Sequence, residues 1–525
     1  MPNLFTSKPS RALGASLALL LSVAPAALAA DTVSFVAADE VRADNVAVFV
    51  DDAMALPDMG ALMDAGQVVA LERAIEASRF DGAFGSHKTF FGIGRFDSVT
   101  VIGTGDETLS RRQLHDLGGH AVGAAGEDDL ALVLGDLDTD VERPGAEVAL
   151  GYQLGDYQFR TYKTGMTGDR NAPNPPDDDR DVFIVSADAD ADTALMEADY
   201  QGLADAVTLT RDFGNEPGMA VYPEEFVNRV RTAARGVEGL RVTVLGVREM
   251  ERENMGGITG VGKGSVHDPA LLILEYRGGD ADDQPVALVG KGITFDTGGI
   301  SLKPNAGQWL MKSDLSGAAA VAGTLIATAK RGADVNLVGL MPLAENMPGP
   351  SAIRPGDVLS TYNGTTIEVM STDAEGRLLL ADAVAYAQDK YDPDLLVNIA
   401  TLTGSAARAM GAEYAAMLTR DWDLSVRMMD VGKRAGEDVW PLPLHPNHFK
   451  QIDSDIADIK STAGNPGASI GAAVVGTFVD EDQPWVHLDI AGVDWRDTAT
   501  PTAPKGHAGW GVRFLDQLVR DFEDE

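Results

Sequence analysis

Cysteine is absent from the 525-residue sequence. The chain therefore has no means of forming a disulfide, a thiolate metal site or a cysteine nucleophile. Histidine is scarce, and the eight histidines contain no H-E-x-x-H motif, which excludes a zinc peptidase of that type. Long apolar runs are also missing after residue 30, so we expect no membrane-spanning helix in the rest of the chain.

Basic residues are few compared with acidic ones: 42 lysines and arginines stand against 80 aspartates and glutamates, a formal net charge of −38. A surface of this sign repels nucleic-acid phosphates and anionic lipids, so we expect neither a nucleic-acid nor a membrane partner. Hydrophobic residues make up 45% of the chain, which is typical of a globular protein with a sizeable core.

The first 29 residues have the pattern of a signal peptide. Lys8 and Arg11 form a short basic region, Leu13 to Val23 is apolar, and Ala27-Leu28-Ala29 matches an A-x-A cleavage site. We expect cleavage after Ala29 and an exported protein, located in a bacterial periplasm or the medium.

The remaining sequence alternates between strand-like and helix-like segments, which predicts an α/β fold with two domains, each a largely parallel or mixed sheet flanked by helices. We place a smaller N-terminal domain at residues 30–205, and a helix from Ala194 to Asn215 links it to the next domain. A larger second domain follows at 206–525. Its clearest elements are strands Val286 to Gly290 and Leu395 to Ala400, and helix Ser316 to Arg331.

Two motifs in the second domain resemble known functional loops but lack their context. Gly257 to Lys263 nearly spells a phosphate-binding loop, yet Gly264 stands where a serine or threonine holds magnesium. Gly467 to Gly471 matches the G-x-S-x-G nucleophile elbow, but the preceding segment is polar and rich in turn-forming residues rather than a buried strand. A glycine loop that leads into a helix is the simpler interpretation of the second motif.

The stretch Ser371 to Arg377 places two carboxylates and a guanidinium between two apolar segments. One interpretation is a helix-capping box, in which Thr372 caps the helix and Glu375 returns to the backbone of the cap. The other is a functional site, because charges between buried elements are costly unless they are paired or bound to metal.

Upstream segments favour the second interpretation. Charged residues recur at the end of a predicted strand, in a glycine-rich turn and just before a helix, which are the places where an α/β sheet builds its site. These residues, with those of the later stretch, are Lys291, Asp296, Lys303, Asp314, Asp373 and Glu375. Oxygen-rich ligands with an amine and no thiolate suit Zn²⁺, Mn²⁺ or Mg²⁺.

The segments that carry these residues resemble the leucyl (cytosol) aminopeptidase family in order and spacing. They are Lys291 to Asp296, Ser301 to Pro304, Met311 to Ala318, Thr372 to Leu378, Thr401 to Gly404 and His487 to Gly492. The resemblance spans nearly all of the chain after the predicted signal peptide. It implies an exported member of the family, a metal-dependent exopeptidase that releases N-terminal amino acids, preferably leucine-like ones, from peptides.

The resemblance also implies two divalent metal ions per subunit, Mn²⁺ or Zn²⁺ with Mg²⁺ as a further candidate. The tighter site takes Lys291, Asp296, Asp314 and Glu375, and the more exchangeable one takes Asp296, Asp373 and Glu375. Lys291 coordinates only as a neutral amine, so its pKa has to fall beside the metal cations. The metals activate a hydroxide near neutral pH and polarise the scissile carbonyl.

Two residues match the catalytic residues of the family that are not ligands. Lys303 is expected to stabilise the oxyanion, and Arg377 to hold a bicarbonate ion that shuttles the proton. The family assembles as a homohexamer. Its substrate pocket corresponds here to Met311, Thr401, Gly404, Ala491 and Asp494.

Asp494 departs from the apolar or small residue common in the family. We expect it either to pair with a basic P1 side chain or to turn to solvent or Arg496 and leave an apolar pocket.

Two other functions stay open at this point. A serine hydrolase would use Ser469 of the elbow-like motif, with Asp489 and His507 following in hydrolase order. An inactive scaffold would keep the fold without turnover. Resistance of the activity to a chelator would indicate the first, and absence of activity the second.

Overall fold

The computed structural model describes residues 32–124, 126, 128–163 and 180–523. The chain divides into two compact units, and the larger one comprises Ala30–Phe159 and Asp178–Glu525. The smaller unit comprises Met1–Ala29 and Arg160–Asp177, of which only 160–163 are described, as a turn. The predicted signal peptide at 1–29 therefore lies outside the described residues. Every helix and strand named below belongs to the larger unit.

The first sheet has six strands in the order β1-β6-β5-β2-β4-β3. Its strands are β1 (Thr32–Val36), β2 (Asn45–Val50), β3 (His87–Phe91), β4 (Ser98–Gly103), β5 (Leu130–Val133) and β6 (Asp181–Val185). All neighbours pair in parallel except β3, which is antiparallel to β4. The central strands β2, β4 and β5 are buried along their whole length, as expected of apolar strands covered on both faces.

The second sheet has nine strands, in the order β16-β15-β18-β14-β9-β11-β8-β7 with β10 also pairing β11. The strands of the second half of the chain are β7 (Leu240–Leu245), β8 (Ala270–Arg277), β9 (Val286–Gly290), β10 (Gly292–Asp296), β11 (Asn336–Asn346), β12 (Val358–Ser360), β13 (Thr366–Glu368), β14 (Leu395–Ala400), β15 (Ala415–Leu418), β16 (Val439–Pro441), β17 (Ile459–Lys460), β18 (Trp485–Asp489), β19 (Trp495–Arg496) and β20 (Gly506–His507). Small sheets form from β12-β13-β17 and from β19-β20.

Helices flank both sheets. They are α1 (Ala65–Ser78), α2 (Arg111–Ala121), α3 (Pro144–Asp156), α4 (Ala189–Leu195), α5 (Gln201–Asn215), α6 (Pro223–Ala233), α7 (Val247–Arg252), α8 (Gly256–Gly262), α9 (Ser316–Arg331), α10 (Glu375–Tyr391), α11 (Gly404–Met410), α12 (Trp422–Ala435), α13 (Pro446–Gln451), α14 (Gly467–Gly476) and α15 (Val512–Glu523). Of the helices in the described part of the chain, none has both the length and the apolar character that a membrane crossing needs.

The predicted α/β class with mixed sheets and flanking helices is confirmed. The bounds predicted for β9, β14 and α9 agree with the structure, because each is an uninterrupted apolar or small-residue run between turn residues. The predicted helix at 194–215 is instead interrupted by a π-helical turn over Met196–Tyr200. The domain boundary at residue 205 stays a prediction.

A buried arginine ties the two halves of the chain together. Arg211 of α5 is 2% exposed, and burial lowers its pKa to about 10, so the guanidinium remains charged near neutral pH. It donates to the carbonyl oxygens of Leu154 at 2.6 Å, Thr502 at 2.6 Å and Ala508 at 3.0 Å. Three backbone acceptors from α3 and the C-terminal segment thus depend on one side chain.

We predict that Arg211→Met lowers the free energy of unfolding by about 3 kcal/mol or more, since it leaves buried carbonyl oxygens without donors. Arg231→Met, which removes an exposed arginine on the adjacent helix α6, is the matched control and should change stability little. Denaturant unfolding of the three proteins checks the prediction. Equal midpoints for Arg211→Met and the control would contradict it.

Candidate active site

The site lies where neighbouring strands of the second sheet end. Strands β9 and β14 are parallel neighbours, with Gly290 opposite Ile399, so Lys291 and Thr401 emerge from the same sheet edge. Asp296 is the last residue of β10. The carboxyl ends of strands are the usual place for a functional site in α/β folds.

Lys291 connects two buried carboxylates. Its Nζ lies 2.8 Å from Asp314 Oδ1 and 2.9 Å from Glu375 Oε1. Asp296, Asp314 and Glu375 are all buried, and each offers an oxygen within 4.8 Å of the others. Residues separated by up to 84 positions in the sequence are therefore brought to one point.

Lys303 and Asp373 extend this cluster toward solvent. Lys303 Nζ lies 2.8 Å from Asp296 Oδ2 and 2.6 Å from Asp373 Oδ1. The side chain of Asp373 is 35% exposed, whereas that of Asp296 is 2% exposed. All six charged residues singled out in the sequence thus belong to one contiguous group with an open side.

Two oxygen atoms in this group lack a hydrogen-bond donor. Among the described residues, Asp314 Oδ2 and Glu375 Oε2 are buried and have no partner. A buried carboxylate oxygen without a partner is costly unless a cation or another donor occupies the position. Together with the adjacent carboxylates, these oxygens form a donor set suited to a hard or borderline divalent cation.

The charges in the cluster perturb one another. Burial raises the pKa of Asp314 to about 8 and that of Asp296 to about 6. Burial alone would lower the pKa of Lys291, but the carboxylates of Asp314 and Glu375 raise it overall. This direction is opposite to the one predicted for Lys291 beside metal cations, because here carboxylates are its charged neighbours.

Several residues that orient these ligands could not be assigned from the sequence. Asn346, the last residue of β11, donates through Nδ2 to Asp296 Oδ1 at 2.8 Å and to the Thr372 carbonyl at 2.9 Å. Thr401 Oγ1 donates to Asp314 Oδ1 at 2.6 Å, and the Thr401 carbonyl accepts from Lys291 Nζ at 3.0 Å. Only the register of β10 against β11, which puts Asp296 opposite Asn346, identifies the asparagine.

The capping-box interpretation of Thr372 is wrong. Helix α10 begins at Glu375, with Ala374 as a cap that makes no side-chain hydrogen bond. Thr372 Oγ1 instead donates to the Gly298 carbonyl at 2.6 Å and accepts from the Ser301 amide at 2.8 Å. The threonine thus holds the glycine turn between Asp296 and Lys303. Part of the segment predicted as a glycine-rich turn is a strand instead: β10 (Gly292–Asp296) pairs with β11.

Arg377 is buried close to the carboxylates of the cluster. The residue is 8% exposed, and its Nη1 donates to the Ser461 carbonyl at 2.8 Å. Its Nε is buried and, among the described residues, has no partner. A Cβ at Gly471 would lie 3.5 Å from this Nε, in van der Waals contact with it.

The predicted substrate-binding residues lie in segments next to the charged cluster. Asp489 Oδ1 accepts from the amides of Leu402 at 3.1 Å and Ala491 at 3.3 Å, and Asp489 Oδ2 accepts from the Thr403 hydroxyl at 2.6 Å. This buried carboxylate therefore joins the loop after β14 to the loop after β18. Gly404 is exposed at the start of α11, and Met311 is partly buried in the 3₁₀ helix Gln308–Ser313.

Asp494 is arranged differently from the alternative in which it turns to solvent or to Arg496. It is 6% exposed, and its Oδ2 lies 2.9 Å from Ser313 Oγ and 3.3 Å from Ser316 Oγ. Arg496 donates instead to the carbonyl of Ala412 at 2.6 Å. The carboxyl group therefore lies in the interior, neither turned to solvent nor paired with Arg496.

The residues of the serine-hydrolase alternative are occupied elsewhere. Ser469 Oγ donates to the Pro443 carbonyl at 2.7 Å, Asp489 holds the loop after β14, and His507 Nε2 lies 2.8 Å from Ser316 Oγ.

The structure also accounts for the glycine-rich motif that resembles a phosphate-binding loop. Its helix α8 begins against the buried Asp382, whose Oδ2 accepts from the Ile258 amide at 2.9 Å, so a carboxylate already fills the anion position.

Gly376 makes room for Lys291. A Cβ at Gly376 would lie 2.8 Å from both Cδ and Cε of Lys291 and 3.0 Å from Leu402 Cδ1. We predict that Gly376→Ala displaces the lysine from Asp314 and Glu375 and destabilises the chain by about 1–3 kcal/mol, although alanine favours helices.

Gly202→Ala is the matched control, because in α5 its Cβ would meet other atoms only at 3.6 Å or more, so it should stabilise the chain by about 0.5–1 kcal/mol. Thermal unfolding distinguishes the two variants. A Gly376→Ala protein that is more stable than the unmodified chain would show that a Cβ at this position does not clash with Lys291.

Curated bacterial proteins are similar to this chain over most of its length. A probable cytosol aminopeptidase of Rhodopseudomonas palustris is 39% identical over 485 residues, 90% of this chain and 95% of that protein. One from Caulobacter vibrioides is 40% identical over 465 residues, 86% of this chain and 91% of that protein. These names correct one prediction. Export after cleavage at Ala29 is wrong, since the relatives are named as cytosol enzymes, which points to the cytoplasm.

Solved structures share the fold. The bottromycin maturation enzyme BotP in complex with Mn superposes with a TM-score of 0.79 at 31% identity, covering 92% of this chain and 100% of that one. A tomato leucine aminopeptidase mutant gives a TM-score of 0.79 at 26% identity, covering 94% and 97%.

Two family models match the chain. The N-terminal domain of the cytosol aminopeptidase family matches residues 46–165, and its catalytic domain matches residues 208–516. The chain therefore belongs to the cytosol aminopeptidase family and is a peptidase, a hydrolase.

Proposed function

We propose that the chain is a metal-dependent exopeptidase that releases N-terminal amino acids, preferably leucine-like ones, from peptides. The observation that carries this proposal is the buried group of Asp296, Asp314 and Glu375, whose oxygens converge within 4.8 Å. Asp314 Oδ2 and Glu375 Oε2 have no hydrogen-bond partner among the described residues. Membership of an aminopeptidase family agrees with this interpretation of the site.

We assign two divalent ions to the cluster, Mn²⁺ or Zn²⁺ before Mg²⁺. Asp296 and Glu375 would serve both ions, Lys291 and Asp314 one of them, and Asp373 the other. Such ions supply a Lewis acid for the scissile carbonyl and lower the pKa of bound water. BotP, which shares the fold, is known in complex with Mn, and this supports manganese by analogy with that protein.

The remaining roles belong to groups beside the ligands. The Lys303 ammonium, part-exposed at the open side of the cluster, is placed to stabilise the oxyanion that develops during hydrolysis. Arg377 would hold bicarbonate through its free Nε, and that anion would carry the proton. Met311, Thr401, Gly404 and Ala491 are assigned to the walls of the substrate pocket. We also propose a homohexamer, with no nucleic-acid or membrane partner.

The alternatives have less support. A serine hydrolase would need Ser469, Asp489 and His507 together, but each is hydrogen-bonded to a different segment. An inactive scaffold would have no use for buried carboxylates within 4.8 Å of one another, whose mutual repulsion destabilises the fold when no cation is bound. Activity on a leucyl anilide that a chelator abolishes would distinguish the proposal from both.

We predict that Asp296→Asn and Glu375→Gln lose bound metal and lower kcat/KM on leucyl anilide by at least about 100-fold, since each removes a shared ligand while keeping the side-chain volume. Elemental analysis, activity and circular dichroism are measured on the same samples. Asp389→Asn, at an exposed position of α10, is the control. Full metal content with full activity in either ligand variant would contradict the assignment.

We predict that Arg377→Ala keeps its metal content but lowers kcat by about 10²-fold or more, because a positioned proton carrier contributes about that much. Added bicarbonate should stimulate the unmodified chain and not the variant. Arg354→Ala, which removes an exposed arginine, should resemble the unmodified chain in both respects. Loss of metal from Arg377→Ala would argue against an anion-binding role.

A further inference from the structure

Asp494 stands at the centre of a buried polar group that neither the ligands nor the anion position uses. Its Oδ2 lies 2.9 Å from Ser313 Oγ and 3.3 Å from Ser316 Oγ. Ser316 Oγ in turn lies 2.8 Å from His507 Nε2. These four residues are between 0% and 6% exposed, so their hydrogen bonds have to be satisfied among themselves and the nearby backbone.

The hydrogen atoms in this group can be assigned from His507 outward. Its Nδ1 accepts from the Gly509 amide at 3.2 Å, so the proton of the neutral imidazole is on Nε2. Burial lowers the pKa of His507 to about 3, consistent with the neutral form. The imidazole therefore donates to Ser316 Oγ, and the hydroxyl of Ser316 donates to the Ser313 carbonyl.

Asp494 accepts hydrogen bonds from the hydroxyl groups around it. The hydroxyl of Ser313 lies 2.9 Å from Asp494 Oδ2 and 3.0 Å from the Leu310 carbonyl, so both oxygens are acceptors for it. Burial raises the pKa of Asp494 to about 7. The carboxyl group is thus held in the interior by serine hydroxyl groups.

The two serines lie on either side of a ligand residue. Ser313 precedes Asp314 and Ser316 follows it by two positions, and Met311 is in the same 3₁₀ helix as Ser313. Asp314 is itself directed at Lys291 and Thr401. A group that holds both serines fixes the backbone from which Asp314 and Met311 project.

We propose that Asp494 is a positioning residue, whose buried carboxyl group holds the segment from Met311 to Ser316 so that Asp314 stays aligned for metal. This inference rests on the proposed function and deepens it. It replaces the idea that Asp494 selects basic P1 side chains, because the group is buried and committed to the serines. Loss of the hydrogen bonds should weaken metal binding and affect all substrates alike.

The test compares Asp494→Ala with Asp494→Asn in the full chain. Asparagine keeps an acceptor oxygen at this position, whereas alanine has none. We expect Asp494→Ala to weaken Mn²⁺ binding about 10- to 100-fold, measured by competition with a chelator, as is typical when a residue behind a ligand is lost. Its kcat/KM should fall by one common factor on leucyl and lysyl anilides. Asp494→Asn should stay within about threefold of the unmodified chain in all three measurements.

The controls separate the possible failures. Asp497→Ala removes an exposed acid three residues along the chain and should change nothing. If Asp494→Ala does not fold, Ser313→Ala tests the same hydrogen bond, with the same expected loss of Mn²⁺ affinity. A selective loss of lysyl activity in Asp494→Asn, or Mn²⁺ affinities unchanged in every folded variant, would overturn the inference. An unmodified chain that binds no Mn²⁺, Zn²⁺ or Mg²⁺ would overturn the proposed function itself, and the inference with it.

Discussion

The repulsion among three buried carboxylates is the constraint on which the rest of this site depends. Asp296, Asp314 and Glu375 offer oxygens within 4.8 Å of one another in a place from which water is largely excluded. Such an arrangement is stable only when cations compensate it and hydrogen bonds hold each group in place. Lys291 and Lys303 supply part of that charge. The oxygen atoms that remain without partners among the described residues are the physical reason to assign divalent metal to this position.

Most of the surrounding structure holds these charges in position. Asn346 orients Asp296, Thr372 holds the turn that leads to Lys303, and Thr401 orients Asp314. Gly376, which has no side chain, leaves room for the side chain of Lys291. Asp489 joins the loops that carry the assigned pocket residues. Arg211 stabilises contacts between more distant segments, because it joins α5 to α3 and the C-terminal segment through three carbonyl groups.

The sequence was informative where a function depends on short segments. The charged residues that converge in the structure were identified from local stretches, because the strand ends and helix starts that carry them have strong local patterns. Residues such as Asn346 and Ser313 have no such pattern, since their roles depend on strand register and on a contact 181 positions away. The capping-box prediction was wrong for the same reason. The hydroxyl of Thr372 donates to the Gly298 carbonyl, 74 positions away, and makes no capping bond to its own helix.

The signal-peptide pattern of residues 1–29 led to a wrong prediction of export, since the relatives are named as cytosol enzymes. Asp494 gives a similar lesson about charge. Its chemical type suggested a rim carboxylate, whereas the fold buries it among hydroxyl groups.

The most direct test of the account is a crystal structure of the full chain grown with Mn²⁺ or Zn²⁺ and measured at the absorption edge of that metal. The account predicts two anomalous peaks within the group formed by Lys291, Asp296, Asp314, Asp373 and Glu375, with Asp296 and Glu375 in contact with both. No anomalous peak in this group at saturating metal, with Lys291 still bridging Asp314 and Glu375, would contradict it.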